Sequence, residues 1–437
     1  MKILLANINY LSYLRDYEIF PIFKRLILTS FSESLIYSSI NLMILSSLTP
    51  ESYKTEIKDR CRYQDFDFDK DYDLVGLSCT TDSAIEAYKI ADEFRRRGKK
   101  VVLGGWHPSA LPEEAKQHAD AVVIGEAEET WPELLNDFEN KDLRPFYSQK
   151  QPLNPEKIPI LNHTKTRKPG IQATRGCPYG CDFCSISHAD FGKIFRARPI
   201  EDVIKEIKSI KKNSFNFYDN SLTINPSYTK ELFKEMKNLN KKFTCYGNVN
   251  VLGKDDELLK LASEAGCTDW FVGLESINND SLNSVGKKNK VEEYLYTTKK
   301  IHDYGMMIKG SFVFGFDYDT LDVFDKTIDL VRKCEIDIVY FHVLTPLPGT
   351  PIFKKFEMQG RILTKDWSKY NFSNVVFKPK NMTPEQLYDN FKKVSAWQYV
   401  YNCRDRSIHM KLLDFYSYLH IGCISLKRRY DHRYLYR

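Results

Sequence analysis

Apolar and polar positions along the first third of the chain alternate between two periods. Lys2 to Ala6 is a short apolar run, Leu35 to Leu48 has helical spacing, Leu74 to Ser78 is a second strand-like run, and Ser83 to Arg97 again places apolar residues at helical intervals. Val101 to Leu103 then reads as a strand ending in Gly104-Gly105, and Ala121 to Ile124 as another ending in Gly125. Strands alternating with helices in this order predict an open parallel sheet covered on both faces, a Rossmann-like α/β arrangement over residues 1–150. Ligands of such sheets bind beyond the carboxyl ends of the strands, where Ser78, Thr80, Thr81, Gly104, Gly105, Gly125 and Glu126 fall.

Pro152, Pro155, Pro159 and Pro169 punctuate residues 151–170, as a linker would. A second alternation follows over residues 171–350. Strands are expected at Ile171 to Thr174, Ser214 to Tyr218, Phe243 to Asn248, Trp270 to Gly273, Met307 to Phe314 and Ile336 to Leu344. Helices are expected at Ile200 to Lys212, Tyr228 to Leu239, Asp256 to Ala265, Val291 to Tyr304 and Leu321 to Lys333. Repeated strand-helix units of this size predict a partial or full TIM-like barrel, whose strand carboxyl ends carry the site. Asp219 and Asn220, Glu275 and Ser276, Gly315, and the run Thr345 to Pro351 stand at those ends. Asp219 and Asn220 also suit a helix cap or turn. Glu275, closing the apolar run FVGL, is harder to explain as a solvated charge.

Residues 351–437 change character to a mostly helical region. Thr383-Pro384 reads as a cap and first turn, leading into aromatic-rich helical sequence through Trp397 and Tyr401. Ile408 to Leu426 is apolar and aromatic, with Lys427, Arg428, Arg429 and Arg433 behind it. A helix packed on the barrel with a basic tail is the simpler reading; a membrane-surface helix presenting a lipid-like substrate is the other.

Composition narrows the class. In 437 residues, 42% hydrophobic and 28% charged describe an ordinary globular protein, and a net charge of +6 without a basic stripe gives no reason to expect a nucleic-acid partner. No uninterrupted apolar run spans a membrane, and no secretory leader precedes the ten cysteines, so a reducing, cytoplasmic setting is expected. His107 and His118 lack metal spacing; His342, on the last barrel strand, is the one histidine expected to face a cavity.

Three of the cysteines stand together: Cys177, Cys181 and Cys184 in ATRGCPYGCDFCSI. Three thiolates on one tight loop can hold three corners of a four-iron four-sulfur (4Fe-4S) cluster and leave the fourth iron open. Zinc would want a fourth ligand at a recognisable spacing, and His188 fits poorly. Gly176 and Gly180 give the backbone the freedom that such a loop needs. Cys61, Cys79, Cys245, Cys267, Cys334, Cys403 and Cys423 are scattered, as buried structural thiols would be.

The Cys-x-x-x-Cys-x-x-Cys spacing, with Phe183 before the third cysteine, resembles the signature of the radical S-adenosylmethionine (SAM) enzymes. That resemblance implies a cluster held by the three cysteines, SAM chelated at the open iron, and reductive cleavage of SAM to a 5'-deoxyadenosyl radical, with flavodoxin or ferredoxin as electron donor. The segments FYDNSLTIN, FVGLES, GSFVFGF and HVLTPLPGTP resemble, in order, those of the branch with an amino-terminal cobalamin domain. There Asp219 and Asn220 would meet the SAM amino or carboxylate groups, Glu275 and Ser276 its methionyl or ribose part, and Gly315 and Phe183 its adenine.

VGLSCTTDS from Val75 and VVLGGWHPSALPEEAKQHADAVVIGEAEETWPELL from Val101 resemble that cobalamin-binding domain itself. Ser78, Thr80, Gly104, Gly105, Gly125 and Glu126 are its expected cofactor contacts. The chain departs from many cobalamin proteins in having no histidine between Met1 and Trp106 to ligate cobalt from below. Cobalamin held without that ligand and a domain that has lost its cofactor both fit. The branch implies methylation of an unactivated carbon of a small-molecule or lipid-like substrate. Radical rearrangement, cyclisation or C–C bond formation without methyl transfer, or a non-catalytic iron-sulfur protein, are the alternatives.

Overall fold

The computed structural model describes residues 1–8, 39–164, 166 and 169–403. The segment after the first strand, where an axial histidine motif would be sought, and the apolar stretch Ile408 to Leu426 lie outside these residues, as does Cys423.

The amino-terminal sheet has six parallel strands: β1 (Lys2–Ile8), β2 (Lys54–Asp59), β3 (Leu74–Cys79), β4 (Lys100–Gly104), β5 (Ala121–Ile124) and β6 (Phe146–Ser148). Their order is β2-β1-β3-β4-β5-β6, so the direction of winding reverses between β1 and β3. Both faces are buried. Leu4, Ala6, Val75, Leu77, Val101 and Leu103 meet the helix Ala84–Arg96 on one face, while Ile3, Leu5, Leu74, Val102 and Val123 meet Thr130–Glu139 on the other. Period-two alternation between two covered faces is what makes these strands near-continuous apolar runs. The edge strands β2 and β6 escaped the sequence reading: β2, KTEIKD, is buried on neither face, and β6 is only three residues long.

The second sheet is also parallel and six-stranded. β7 (Gly170–Ile171), β10 (Ser214–Phe217), β11 (Lys242–Gly247), β12 (Cys267–Glu275), β13 (Met307–Phe314) and β14 (Ile338–Val343) follow one another in that order across the sheet, forming an open, partial barrel. The expected first strand, Ile171 to Thr174, is divided. Gly170–Ile171 joins the barrel, whereas β8 (Thr174–Arg175) pairs antiparallel with β9 (Arg196–Ala197) in a separate ribbon. The open edge at β14 is covered by the helix Pro384–Asn402. Asn402 exchanges 2.9 and 2.8 Å hydrogen bonds with the backbone of Val339, and Gln398 accepts from Phe341 N at 2.8 Å, so side chains substitute for the missing seventh strand. Thr383 and Gln386 form the capping box that starts this helix.

The carboxyl-terminal region is less uniformly helical than expected. Between Pro351–Met358 and Pro384–Asn402 runs an irregular segment whose Trp367, Tyr370 and Val376 pack into the amino-terminal core. Trp367 donates from Nε1 to Glu114 at 2.9 Å, which ties this segment to the first sheet's helices.

Candidate active site

The ribbon β8/β9 closes the base of the cysteine loop. Gly176 (φ +83°) and Gly180 (φ +69°) turn the backbone, and a Cβ on Gly176 would lie 2.0 Å from the Ile194 carbonyl oxygen, so only glycine fits there. Cys177 N donates to Gly192 O at 2.8 Å, Asp182 N to Val285 O at 2.9 Å, and Ile352 N to Asp182 O at 3.2 Å. The loop is thus docked against the segment after β12 and the helix after the run TPLPGTP.

Cys181 is buried, and Cys177 and Cys184 are half-buried. Burial pushes the Cys181 thiol up to about 11, with Lys287 opposing and Cys184, Glu275 and Cys177 adding to the rise. Burial also raises the Cys184 thiol, against backbone N–H groups of Ser187 and Ile186 aimed at its sulfur. Three neighbouring sulfurs in a low-dielectric site need positive charge to exist as thiolates, and the irons of a cluster supply it. Among the described residues no three His, Cys, Asp or Glu side chains converge on one metal ion. A cubane instead takes each thiolate on a different iron, which three spaced cysteines on one loop can offer. His188 spends Nε2 on the Cys181 carbonyl oxygen at 3.2 Å.

Glu275 and Lys287 stand beside this loop. Glu275 ends β12 with φ +69°, next to a register shift against β13, and its carboxylate folds back to Lys287 Nζ at 2.9 Å. Gly273 leaves the room: a Cβ there would lie 2.3 Å from Glu275 Oε1. Asn289 Nδ2 donates to Gly273 O at 2.8 Å and Tyr294 Oη to Leu274 O at 2.6 Å, which holds the unusual turn. Burial would strip the Lys287 proton, but the charges of Glu275 and Cys181 outweigh it and keep the ammonium charged. Lys287 went unnoticed in the sequence, where it is one of several lysines in SVGKKNK.

The other expected SAM contacts divide into different local roles. Asp219 is buried at the end of β10, and its carboxylate accepts from Ala173 N at 3.3 Å, from Thr174 N, and from Thr174 Oγ1 at 2.6 Å. It therefore pins the strand that enters the cysteine loop, and burial pushes it up to about 6 against those hydrogen bonds. Asn220 follows it, half-buried. Ser276 is buried, with Oγ accepting from Asn278 N at 3.1 Å. Gly315 (φ +105°) donates its N–H to Asp319 at 2.9 Å, and Phe183 packs 6.0 Å from Phe316. His342 lies on the inner face of β14, where burial lowers its pKa and Glu275 opposes the shift.

The amino-terminal sheet presents its expected residues along one edge. Ser78 stands in the last pleat of β3 and Thr80 just after it, Gly104 ends β4, and Gly105 (φ +100°) passes so close to β3 that a Cβ would lie 2.7 Å from Cys79 O. Gly125 (φ +80°) donates to Ser109 Oγ at 2.9 Å. Ser78 Oγ accepts from Asn41 at 3.3 Å, and Thr80 Oγ1 donates to Asp82 at 2.5 Å. Glu126 is engaged by the cysteine ribbon: Arg196 grips it with two hydrogen bonds of 2.5 and 3.0 Å, and Arg175 approaches at 3.4 Å while also bonding Glu128. Burial favours protonation of Glu126, but the two arginines outweigh it and hold the carboxyl below its ordinary range. Arg175 and Arg196 are cross-strand partners in the ribbon, so one short element clasps the first sheet's edge to the base of the cysteine loop.

Comparisons with known proteins agree with this architecture. The Radical SAM superfamily model matches residues 171–331 and the B12 binding domain model residues 68–135. The chain is 33% identical over 381 residues to bacteriochlorophyllide d C-12(1)-methyltransferase of Chlorobaculum tepidum, covering 82% of each protein. It is 33% identical to the C-8(2)-methyltransferase of the same organism, covering 83% of this chain and 85% of that one. Among solved structures, the cobalamin-dependent SAM radical enzyme OxsB aligns with a TM-score of 0.70 at 15% identity, over 96% of this chain and 71% of that one. The radical SAM methyltransferase TsrM of Kitasatospora setae aligns with a TM-score of 0.65 at 17% identity, over 82% and 76%. A six-stranded partial barrel with a three-cysteine loop, clasped to a B12-type sheet and 33% identical to two bacteriochlorophyllide d methyltransferases over most of its length, belongs to the B12-binding-domain branch of the radical SAM superfamily.

Proposed function

We propose that this protein is a cobalamin-dependent radical SAM methyltransferase acting on an unactivated carbon of a small molecule. When bound, the 4Fe-4S cluster with SAM supplies a 5'-deoxyadenosyl radical, and cobalamin supplies a methyl group. Cys177, Cys181 and Cys184 hold the cluster. Lys287 pairs with the SAM carboxylate and Glu275 with its amino group, so that SAM enters a site whose own charges already balance. Gly105 and Gly125 let the backbone approach the cobalamin tail, with Ser78 and Thr80 beside it. Asp219 and Gly315 act on SAM through the backbone they position. A one-electron donor protein such as flavodoxin or ferredoxin is the natural reductant, and the buried thiols of Cys61, Cys79, Cys245, Cys267 and Cys334 suit a reducing compartment. Among the described residues no helix is long and apolar enough to cross a membrane.

The observation that carries this reading is the clasp of Arg175 and Arg196 on Glu126 and Glu128. It brings the segment after β5, an expected cobalamin contact, to the base of the cysteine loop, so both reagents can serve one cavity. Protein purified from cobalamin-fed cells is expected to carry a corrin absorbance in stoichiometric amount. A corrin-free protein that still cleaves SAM would rule out the methyltransferase reading and favour radical chemistry without methyl transfer.

A further inference from the structure

The covering of the cysteine loop is thin at one point. Cys181 Sγ lies 4.0 Å from Gly286 O, and Gly286 is itself partly open to solvent. A Cβ on Gly286 (φ +69°) would meet nothing nearer than Gly180 O at 3.9 Å, and Gly180 is partly open too. Backbone without side chains therefore stands between one of the loop's sulfurs and the surface. A Cβ on Gly180 would lie 3.3 Å from Lys193 Cε and 3.5 Å from its Nζ, so the Lys193 ammonium stands beside this glycine pair.

The surface around these glycines is positive and partly apolar. Lys193 is exposed, Ile194 after it is 45% exposed, and Lys288 is exposed two residues beyond Gly286. Among the described residues neither Lys193 nor Lys288 forms an ion pair, whereas Lys254, Lys300, Lys309 and Lys355 are each paired with a carboxylate. The nearby carboxylates are engaged elsewhere. Glu292 accepts from Asn279 at 3.2 Å and lies near the exposed Lys290, and Glu293 pairs with Lys254 at 3.1 Å. Asp190 sits against the amino-terminal sheet, its Cβ 4.0 Å from the place where a Cβ on Gly125 would be. Asp182, half-buried, is the one acidic residue between Cys177 and Cys184.

We infer that this patch is where the one-electron donor docks, and that the donor is an acidic protein presenting carboxylates around its redox group. Lys193 and Lys288 meet those carboxylates, and Ile194 meets the apolar surface between them. One electron crosses the Gly180 and Gly286 backbone: the donor is oxidised by one electron, the cluster is reduced by one, and no bond or proton changes hands. Opposite charges at the rim speed the encounter and fix its orientation without demanding a tight complex, as suits a carrier that must leave after each transfer. The inference rests on the radical SAM reading, because it takes the three cysteines to hold a redox cluster.

Carbodiimide coupling, which joins lysine amines to carboxylates they contact, and stopped-flow bleaching of the cluster absorbance together test it. The probes are an acidic flavodoxin and an acidic ferredoxin, each mixed with the anaerobically reconstituted full chain. At least one is expected to cross-link through Lys193 or Lys288 and to reduce the cluster at a rate that falls as salt is added. The double variant Lys193→Glu/Lys288→Glu should slow that reduction at least about tenfold at low ionic strength, with iron content reporting that it folds. Photoreduced deazariboflavin, small and uncharged, should reduce parent and variant alike. Lys260→Glu, exposed on the helix Asp256–Ala265, should leave every rate unchanged. Cross-links confined to other lysines, reduction by neither protein, or an equal protein-driven rate in the double variant would overturn the docking assignment. SAM cleavage by the parent with deazariboflavin alone separates that failure from a failure of the radical SAM reading.

Discussion

Lys287 is where the site's electrostatics meet. A buried ammonium persists there because a carboxylate and the cysteine sulfurs surround it. Replacing it with methionine keeps the bulk of the side chain and removes the charge, so Lys287→Met is expected to lower 5'-deoxyadenosine formation at least tenfold, about 1.4 kcal/mol or more. Iron content should be retained and Lys287→Arg should recover part of the rate, as product analysis beside iron assays would reveal. An unchanged rate would remove Lys287 from the site. Sequence alone could not single it out: its neighbours in SVGKKNK include two further lysines, and its burial depends on Glu275 turning back over Gly273. Glu275 was legible because a charge closing an apolar strand has no solvated explanation. Asp219 was legible as important but not in its task, since its partners Ala173 and Thr174 lie 46 and 45 residues away.

At the scale of elements, the central strands and most helices follow from apolar periodicity, whereas the edges do not. β2 and β6 carry little apolar signal because an edge strand buries little, and the ribbon β8/β9 is too short to have a period. Gly176 tests the loop that this ribbon closes. Gly176→Ala should drive Cβ into Ile194 O and cost most of the bound iron, while the circular dichroism of the fold persists. Full iron loading in that variant would refute the role given to the turn.

Asp319 tests the turn after β13. It accepts from Gly315 N at 2.9 Å, Phe316 N at 3.0 Å and Ser281 Oγ at 2.8 Å, and burial pushes its carboxyl up from 3.8 to about 6. Between those values the folded chain holds a proton that the unfolded chain has released. The stability this proton contributes is complete below the unfolded value and is lost as pH rises through about 6. Asparagine can accept from both backbone N–H groups and donate to Ser281 without the buried charge. Thermal melts of the apo chain should therefore find Asp319→Asn more stable than the parent at pH 7.5, on the order of 1–3 kcal/mol, with the advantage shrinking as the pH falls below 6. A pH-independent difference would contradict this.

Across the whole molecule, the two sheets were legible from their alternating elements, but the join between them was not. Arg175, Arg196 and Glu128 have no spacing that announces a clasp, and Trp367 reaches Glu114 across 253 residues of chain. Arg196→Ala should leave Glu126 with only its two longer contacts, to Arg175 and Gln149 at 3.4 Å, destabilise the chain by roughly 1–3 kcal/mol, and lower corrin retention. Arg196→Lys should restore only part, since a single ammonium cannot reproduce the paired grip. Equal corrin content in both variants would mean that the clasp is structural alone. The most direct measurement on the molecule is anaerobic turnover of the cluster-loaded protein with SAM and a reductant. Equal amounts of methionine and 5'-deoxyadenosine are expected, dependent on the reductant and lost in Cys181→Ala; a fully loaded cluster that leaves SAM intact, or turnover surviving in Cys181→Ala, would contradict the assignment.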